Sequence, residues 1–529
     1  MSFPILSLIV FLPAAGALLI GLLDRGQERL IRTVALVASL SVFALAVVLF
    51  FAYDGARGGM QFVEQAPWVP QLGIGYHLGL DGISLLLLLL TGFIVPLALL
   101  APWEAITERV KTFSIMVLLL ETAVIGVFLS LDLVLFYVFW ESMLIPMYFI
   151  IGIWGTPKAG PAALKFLLYT MAGSVFMLIA IIALYFLSGP LGGRSFDLIT
   201  LQNLTPGWSL ALQVPLFLAF TIAFAVKVPL WPFHSWLPAA YTEAPTTGTV
   251  LLAALLSKAG IYGFIRFAYP LFPQAAALFT PWLMGLALIG VIYGALVAAA
   301  QRDLKRLVAY SSISHLGLVL LGVFALSPIS LSGSTLQMVN HGIIVAALFW
   351  AVAAISGRAG GARTLDDFGG LMRPMPRLAA LFTVFMLAAI ALPGTNGFVG
   401  EFMILLGTFT QHRVYAIIGA ATVILTAIYM LWMTQRVFHE EPRSQKHFAD
   451  LRPREVALLI PLVLVIFWIG IYPKPFLGRL NSSVQQIVRQ SSVQVQTGYD
   501  LLRSQVYRLT RSQVNGPAPA NLRPGGRPR

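Results

Sequence analysis

Fourteen runs of largely apolar residues follow one another along the chain, separated by short polar segments. A helix needs about 20 such residues to cross the hydrocarbon core of a bilayer, so each run predicts a membrane-spanning helix. The stretch over 113–154 is too long for one crossing, and we divide it at Ser130-Leu131-Asp132, where polar groups can reach the headgroups. The pattern predicts an all-α polytopic membrane protein with no soluble domain between spans. The spans lie near residues 4–22, 30–53, 80–102, 113–130, 132–154, 164–188, 211–228, 246–269, 275–300, 306–326, 334–356, 377–404, 412–435 and 455–472.

The seventh and twelfth predicted spans each contain helix breakers beside an ionisable residue. In the seventh span, Pro229 and Pro232 follow Lys227 within five residues, and each proline removes a backbone donor. Broken helices at membrane depth are tolerated only where protein or water satisfies the freed backbone groups, and paired breaks are typical of transporter sites. In the twelfth span, the breakers precede Glu401 and are Pro393, Gly394, Gly397 and Gly400.

The spacing of the ionisable residues predicts an internal repeat. Glu141 and His315 are 174 residues apart, as are Lys227 and Glu401. A five-helix unit reverses its direction across the membrane when it is repeated, so the two copies would be inverted. The predicted organisation is residues 1–111 with spans one to three, 112–270 as the first repeat with spans four to eight, 271–436 as the second repeat with spans nine to thirteen, 437–475 with span fourteen, and a basic tail over 476–529.

The composition agrees with a membrane protein and removes several kinds of chemistry. Hydrophobic residues make up 58% of the chain and charged residues only 10%, whereas soluble domains are about 25% charged. The chain has no cysteine, which excludes Cys-ligated iron–sulfur clusters, thiolate zinc sites and disulfides. The net charge is +13, but residues 474–529 supply much of it, so no nucleic-acid partner is needed to explain it.

The basic residues of the loops predict the orientation. Alternating loops place 19 lysines and arginines on one side and four on the other. The positive-inside rule then assigns the first side to the cytoplasm and, for an even number of spans, both termini to the outside. In the tail, apolar residues from Val484 to Leu509 recur at three- and four-residue steps and predict an amphipathic surface helix. The segment after it, PAPANLRPGGRPR, has a composition typical of disorder.

Several ionisable residues fall inside the apolar runs. A charge in hydrocarbon costs about 3 kcal/mol or more, so such residues are functional candidates. Asp81 and Asp132 lie near span ends and are expected at the interface instead. A single buried histidine is commonly a hydrogen-bonded packing residue, but a set of this size favours a function. The candidates are Glu121, Glu141, Lys227, Lys258, Glu401, His315 and His341, with His234 at the mouth of a run.

These residue types favour proton transfer. A lysine in a low dielectric gives up its proton more readily, and a nearby carboxylate restores the charged form. Arginine is effectively never deprotonated, and a sodium site prefers clustered oxygens. A Glu141–Lys227 pair acting as a gate, with Lys258, His315 and His341 as stations toward Glu401, would therefore form a proton relay.

Seven sequence motifs resemble a known family, the subunit M group of bacterial NADH-quinone oxidoreductase (complex I). The resemblance covers about residues 1–475 and implies fourteen helices, two inverted five-helix repeats and broken helices seven and twelve. The glutamate at position 401 resembles the residue that subunit M has at this place, whereas the related subunits L and N more often have lysine there. The motifs are HLGLDGISLLL (77–87), FWESMLIPMYF (139–149), HSWLPAAYTEAPT (234–246), SKAGIYGFIRF (257–267), AYSSISHLG (309–317), MVNHG (338–342) and LPGTNGFVGEFMIL (392–405).

The resemblance also implies roles for individual residues. Glu141 and Lys227 would form the input pair, Lys258 the central relay, and Glu401 the terminal exchange group. The two histidines named above, at positions 315 and 341, would hold connecting water. His234 and Glu121 remain possible access residues. Where the family commonly reads HTWLPDAHTEAPT, this chain has Ala239 and Tyr241 in place of Asp and His, which puts an access path through those two positions in doubt.

The implied function is proton translocation within a larger assembly. No cofactor is expected in this chain, while FMN, iron–sulfur clusters, NADH and quinone would belong to partner subunits. Neighbours similar to subunits L and N, a bacterial inner membrane and protons as cargo are implied in the same way. Two alternatives stay open, a D-type component of a multisubunit Na⁺/H⁺ antiporter and the proton-pumping module of a membrane-bound hydrogenase. A purely structural role in the membrane is the third possibility.

Overall fold

The computed structural model describes residues 3–442 and 448–491. Thirteen of its helices are long and apolar enough to cross a membrane, and a broken pair of shorter helices fills the place of the twelfth predicted span. The predicted helical membrane fold is confirmed. The helices are α1 Ile5–Leu22, α2 Glu28–Ala52, α3 Gly82–Leu100, α4 Val110–Leu129, α5 Leu133–Trp154, α6 Ala159–Gly192, α7 Leu198–Leu204, α8 Leu210–Lys227, α9 Leu237–Glu243, α10 Thr246–Leu271, α11 Pro273–Ala299, α12 Leu304–Phe324, α13 Pro328–Arg358, α14 Pro376–Ala389, α15 Asn396–Gln411, α16 Arg413–His439 and α17 Pro453–Ile471.

Both predicted helix breaks are present. Helix α8 ends at Lys227, and a non-helical segment containing Pro229 and Pro232 leads to the short α9. Helix α14 ends before Ile390, and α15 begins only at Asn396. Each break places backbone without helical hydrogen bonds next to an ionisable side chain, as the sequence pattern indicated.

The division of the long apolar stretch is also confirmed, and aspartates start the helices around it. Asp132 accepts hydrogen bonds from the backbone of Val134 and Leu135 and caps α5. Asp81 caps α3 in the same way through Ser84. A carboxylate at the N-cap satisfies backbone donors that have no partner inside the helix. Both aspartates do lie at span ends, but they are 3% exposed or less because they serve as caps.

A two-stranded antiparallel hairpin between α2 and α3 is an element that the sequence analysis missed. Its strands are β1 Gln61–Val69 and β2 Ile74–Leu80. Glu64 accepts hydrogen bonds from the start of α1, and His77 Nδ1 forms a hydrogen bond with the Asp197 carboxylate at 2.6 Å. Burial raises the pKa of Asp197, but hydrogen bonds from His77 and Thr200 lower it further, so its net pKa lies below the ordinary value.

The loops gather on two opposite faces. On the basic face, Arg358 pairs with Glu455 and Arg452 pairs with Glu104, which joins loops that are far apart in sequence. On the other, the hairpin face, residues 474–491 form a final helix, α18, whose Gln486 accepts a hydrogen bond from the hairpin segment. The grouping matches the predicted alternation of loops and places α18 with the hairpin. The rest of the predicted tail, residues 492–529, lies outside the described residues.

The centre of the molecule is formed by helices that are buried along most of their length. Helix α10 is the most buried span, and α12 and α13 follow closely. Two π-helical stretches, Leu252–Leu256 and Phe264–Ala268, interrupt α10. Such stretches widen the helix and are frequent at functional sites. The buried ionisable residues are concentrated on these central helices and on the broken ones beside them.

Candidate functional site

Lys258 lies at the centre of the site, on α10 between its two π-helical stretches. Its side chain is fully buried. The ammonium nitrogen contacts Ser257 Oγ at 3.3 Å and His341 Nδ1 at 2.8 Å, and it also donates to the carbonyl of Ala253. The Ala253 carbonyl belongs to the π-helical turn, which explains how a lysine pointing back along its own helix finds an acceptor. The short contact with His341 joins α10 to α13.

His341 leads to a second histidine and then to a carboxylate. The rings of His341 and His315 have centroids 5.9 Å apart, and His315 Nδ1 lies 3.0 Å from Glu401 Oε1. All three side chains are at most 6% exposed. The structure therefore brings Lys258, His341, His315 and Glu401 into one continuous file, across helices α10, α13, α12 and α15.

Two amide side chains of α13 hold the end of this file, and the sequence analysis did not single them out. Gln337 donates to Glu401 Oε1 at 3.2 Å. Asn340 donates to Gln337 at 3.2 Å and to the carbonyl of Asn396 at 2.7 Å, which lies at the helix break. Their signal in the sequence was their spacing, because residues 337, 340 and 341 fall on one face of a helix.

A small cavity lies along the same file. Its water-accessible volume is about 10 Å³, which is room for a single water molecule. The polar side chains that line it belong to Ser311, His315, Gln337, His341 and Glu401. A water here would connect the two histidine rings, which are too far apart for a direct hydrogen bond.

Glu141 and Lys227 form a separate, looser arrangement. Lys227 is 1% exposed, and its nitrogen has no hydrogen-bond partner. It lies 5.0 Å from the ring centroid of Trp140, a distance typical of a cation–π contact. Glu141 lies near enough for electrostatic attraction, but one of its oxygens is buried without a partner. The expected pair is thus adjacent but not in direct contact.

His234 lies in the break of the seventh span, at the edge of the site. Its ring makes an edge contact with Tyr293 at 5.0 Å, and its Nδ1 has no partner. Tyr241, which stands where the family commonly has histidine, is fully buried on α9 and packs against Phe349. Ala239 supplies no polar group on that helix. The Tyr241 hydroxyl faces Ser257, whose Oγ lies 3.3 Å from Lys258 Nζ, so this tyrosine borders the site.

Glu121 lies apart from the file. Its carboxylate accepts a hydrogen bond from Ser39 of α2 at 2.9 Å, and its other oxygen is unpaired. This is an interhelical contact between α2 and α4. Within the described residues, no cluster of three or more histidine and carboxylate side chains is arranged to hold a metal ion.

Comparisons with known proteins place the chain in a family. Residues 130–440 match the sequence profile described as NADH:quinone oxidoreductase/Mrp antiporter, TM, and residues 29–127 match NADH-ubiquinone oxidoreductase chain 4, amino terminus. The chain is 43% identical to NADH-quinone oxidoreductase subunit M of Rhodobacter capsulatus, over 92% of this chain and 96% of the relative.

Solved structures share the fold. A chain of respiratory complex I from Thermus thermophilus superposes with a TM-score of 0.84 at 32% identity, covering 92% of this chain and 99% of that one. A chain of the Mrp complex from Dietzia sp. has a TM-score of 0.82 at 22% identity, covering 93% and 99% respectively, which shows the fold alone. The sequence identity is higher with the chains of NADH-quinone oxidoreductase than with the Mrp chain. The chain belongs to the subunit M family of NADH-quinone oxidoreductase.

Proposed function

We propose that this chain moves protons within the membrane arm of an NADH:quinone oxidoreductase. The observation that carries the proposal is the file Lys258–His341–His315–Glu401, which crosses four helices with contacts of 2.8 Å and 3.0 Å at its two ends. A buried polar file of this kind is costly in hydrocarbon and is typical of proton relays in membrane transporters. Membership of the subunit M family indicates that this relay works within an NADH:quinone oxidoreductase.

The contacts support a direct order of proton transfers. Lys258 can pass a proton from Nζ to His341 Nδ1, because the two atoms are within hydrogen-bond distance. His341 then releases a proton from its other ring nitrogen to water in the small cavity, and His315 accepts one from that water. His315 Nδ1 can deliver a proton to Glu401. Each imidazole takes up a proton at one ring nitrogen and releases one from the other, so its tautomer is exchanged. The file is reset when both rings regain their first tautomer, Lys258 is reprotonated and Glu401 releases its proton.

Glu141 and Lys227 are suited to control this transfer. Lys227 has no hydrogen bond to fix its position, and α8 ends at this residue. When Glu141 approaches, the charged form of Lys227 is stabilised, and when Glu141 withdraws, Lys227 becomes a better proton donor. A pair that is close but not bonded can move between these two arrangements.

The electron chemistry is assigned to other subunits. NADH, FMN, iron–sulfur clusters and quinone would be held by partner proteins, and this chain would contribute translocation alone. Neighbours similar to subunits L and N would contact it in the membrane plane. The hairpin face would lie outside a bacterial inner membrane and the basic face inside, in agreement with the distribution of lysine and arginine among the loops.

Isolation of the native complex tests this assignment. A tagged copy of the chain is solubilised gently, and the purified assembly is examined for flavin, for iron–sulfur absorbance and for reduction of quinone by NADH. The proposal expects all three to co-purify with the tag. A colourless assembly that lacks NADH:quinone reductase activity and catalyses Na⁺/H⁺ exchange in vesicles would contradict it.

A further inference from the structure

Further buried polar side chains lie along α10 beyond Lys258, toward the hairpin face. Tyr262 and Arg266 follow Lys258 at four-residue intervals, so each lies about 6 Å farther along the helix. Both are buried, at 1% and 4% exposure. Neither residue belongs to the file that leads to Glu401.

The Tyr262 hydroxyl is the first of these groups. It donates to the carbonyl of Phe128 at 2.9 Å, accepts from Arg266 Nε at 3.2 Å and contacts Ser84 Oγ at 3.2 Å. A phenol can accept a proton on a lone pair while releasing its own, as long as it has partners on both sides. Ser84 supplies the next partner, on α3.

A buried carboxylate lies close to this group. Asp81 accepts from the backbone of Ser84 at 2.9 Å and forms an ion pair with Arg266 Nη2. The side chains of this ion pair are 4% and 5% exposed. An ion pair that is taken out of water is weak evidence for stability, since the loss of solvation offsets most of the attraction. Capping of α3 requires Asp81 but does not require a buried arginine beside it.

Both members of the ion pair line a cavity of about 250 Å³. Its lining also includes exposed side chains such as Val63 and Ile199. This volume is ample for a chain of waters. Its wall also includes polar residues from β2, α7 and α18, namely His77, Gln202, Ser483, Gln486 and Gln490.

We propose that Tyr262, Asp81 and this cavity form an outward branch of the relay, with Arg266 as its gate. A proton leaves Lys258 through water, passes the Tyr262 hydroxyl and protonates Asp81, which weakens the attraction to Arg266. Asp81 then releases the proton to water in the cavity, and the ion pair closes again. Arg266 stays charged throughout and is a positioning residue. This branch rests on the proposed function, because it begins at Lys258.

Removal of the Tyr262 hydroxyl tests the branch. Tyr262→Phe keeps the ring packed against Phe128 and removes only the hydrogen-bonding group. Tyr269→Phe is the matched control, because Tyr269 is a buried tyrosine of the same helix whose hydroxyl contacts Thr280, away from the path. Each intact complex is reconstituted in vesicles, and protons translocated per NADH are measured at equal rates of NADH oxidation.

The expected result is a lower proton-to-NADH ratio for Tyr262→Phe and an unchanged ratio for Tyr269→Phe. Equal ratios for the two variants would overturn the branch. Lys258→Ala is measured alongside. If Lys258→Ala pumps normally, the proposed function itself fails. If Lys258→Ala is impaired while Tyr262→Phe is not, the branch alone fails.

A double variant shows whether the Asp81–Arg266 ion pair is a gate or only a structural clamp, that is, a contact that holds α3 and α10 together. Asp81→Asn with Arg266→Gln removes both charges and retains hydrogen-bonding groups of similar size. The branch predicts a lowered proton-to-NADH ratio, because the path then lacks the carboxylate that takes up the proton. A clamp predicts full pumping in the assembled double variant, and that result would overturn the proposal.

The absence of cysteine from the chain allows the cavity to be probed directly. Gln202→Cys places one thiol in the cavity wall, and Thr91→Cys, at a fully buried position of α3, is the control. A membrane-impermeant maleimide is added from the hairpin face of intact membranes. Labelling of position 202 alone is expected. No labelling at position 202 would mean that the cavity has no access to that face and would overturn the branch.

Discussion

The carboxylate of Glu401 is held by hydrogen bonds to side chains of two other helices, which only the folded chain brings together. His315 contacts one of its oxygens at 3.0 Å, and Gln337 donates to the same oxygen at 3.2 Å. A neutral amide at position 401 would preserve the size of the side chain and much of this hydrogen bonding. It would not bind or release a proton in the physiological range.

Glu401→Gln should therefore leave assembly intact and lower the proton-to-NADH ratio. The matched control is Glu121→Gln, because Glu121 is an equally buried carboxylate that bonds Ser39 and no member of the file. Proton uptake by vesicles during NADH oxidation is the measurement. A Glu401→Gln complex that pumps as well as the Glu121→Gln complex would remove Glu401 from the path.

Several residues of the file could be predicted from the sequence, but the contacts between them could not. The candidates at 258, 315, 341 and 401 were identifiable because each is an ionisable group inside an apolar run. Their mutual contacts were not, since Lys258 and His341 are 83 residues apart in sequence. The distance between Glu141 and Lys227 depends on helix packing in the same way. Tyr262 and Ser84 gave no signal, because single hydroxyl groups are common in membrane helices.

The two halves of the broken helix, α14 and α15, approach each other closely at Gly397. A Cβ at Gly397 would collide with the carbonyl of Ala388, across the break, whereas a Cβ at Gly285 in α11 would meet open space. Backbone cannot move aside as a flexible side chain can, so overpacking costs about 1–3 kcal/mol. Gly397→Ala should reduce the yield and thermal stability of the assembled complex.

Gly285→Ala is the control for that experiment and should behave as wild type. The readout is the temperature at which the purified complex loses its native band on a gel. If both substitutions leave this temperature unchanged, the two halves of the break do not approach each other closely at Gly397. Gly394, at φ +95°, is a second position in the same break where alanine would be strained.

The hairpin is held to α7 by a contact that depends on pH. Because hydrogen bonds lower the pKa of Asp197 below its ordinary value, its ionised form stabilises the folded hairpin. That stabilisation is complete above the unfolded pKa of about 4 and is lost as the pH falls through the folded pKa. Hydrogen exchange of residues 61–80, corrected for the intrinsic rate, should therefore be faster below pH 4 than at pH 5.

Asp197→Asn isolates the contribution of this carboxylate. The variant should show faster exchange in the hairpin at pH 7 and a smaller change on acidification than wild type. Identical pH profiles for variant and wild type would mean that the His77–Asp197 pair does not hold the hairpin. Nearby Asp132, whose pKa burial raises, is present in both proteins and cancels in the comparison.

Elements differ in how clearly the sequence indicated them. The spans follow from the length of the apolar runs, and the breaks follow from Pro229, Pro232 and the glycines before Glu401. The hairpin was missed because β1 contains a proline and several charged or polar residues, which do not form the alternating pattern of a strand. Its stability comes from contacts with α1 and Asp197, which are distant in sequence. The inverted repeat remains a prediction.

At the scale of the whole molecule, the central helices connect two kinds of surface. The relay file runs sideways, from α10 to α15, while the proposed branch runs along α10 to the hairpin face. A lateral file suits a protein that receives its driving force from neighbours in the membrane plane, and an outward branch gives protons a place to leave. Lys258 belongs to the file and is the proposed start of the branch, so proton transfer along both depends on this residue.

The most direct test replaces Lys258 with methionine, which is similar in length and cannot be protonated. The control is Lys111→Met, because Lys111 donates only to backbone carbonyls near the end of α1. The measurement is the number of protons translocated per NADH by the reconstituted complex, with assembly verified. We expect a lowered ratio for Lys258→Met and a wild-type ratio for Lys111→Met, and a wild-type ratio for both would contradict the proposed proton relay.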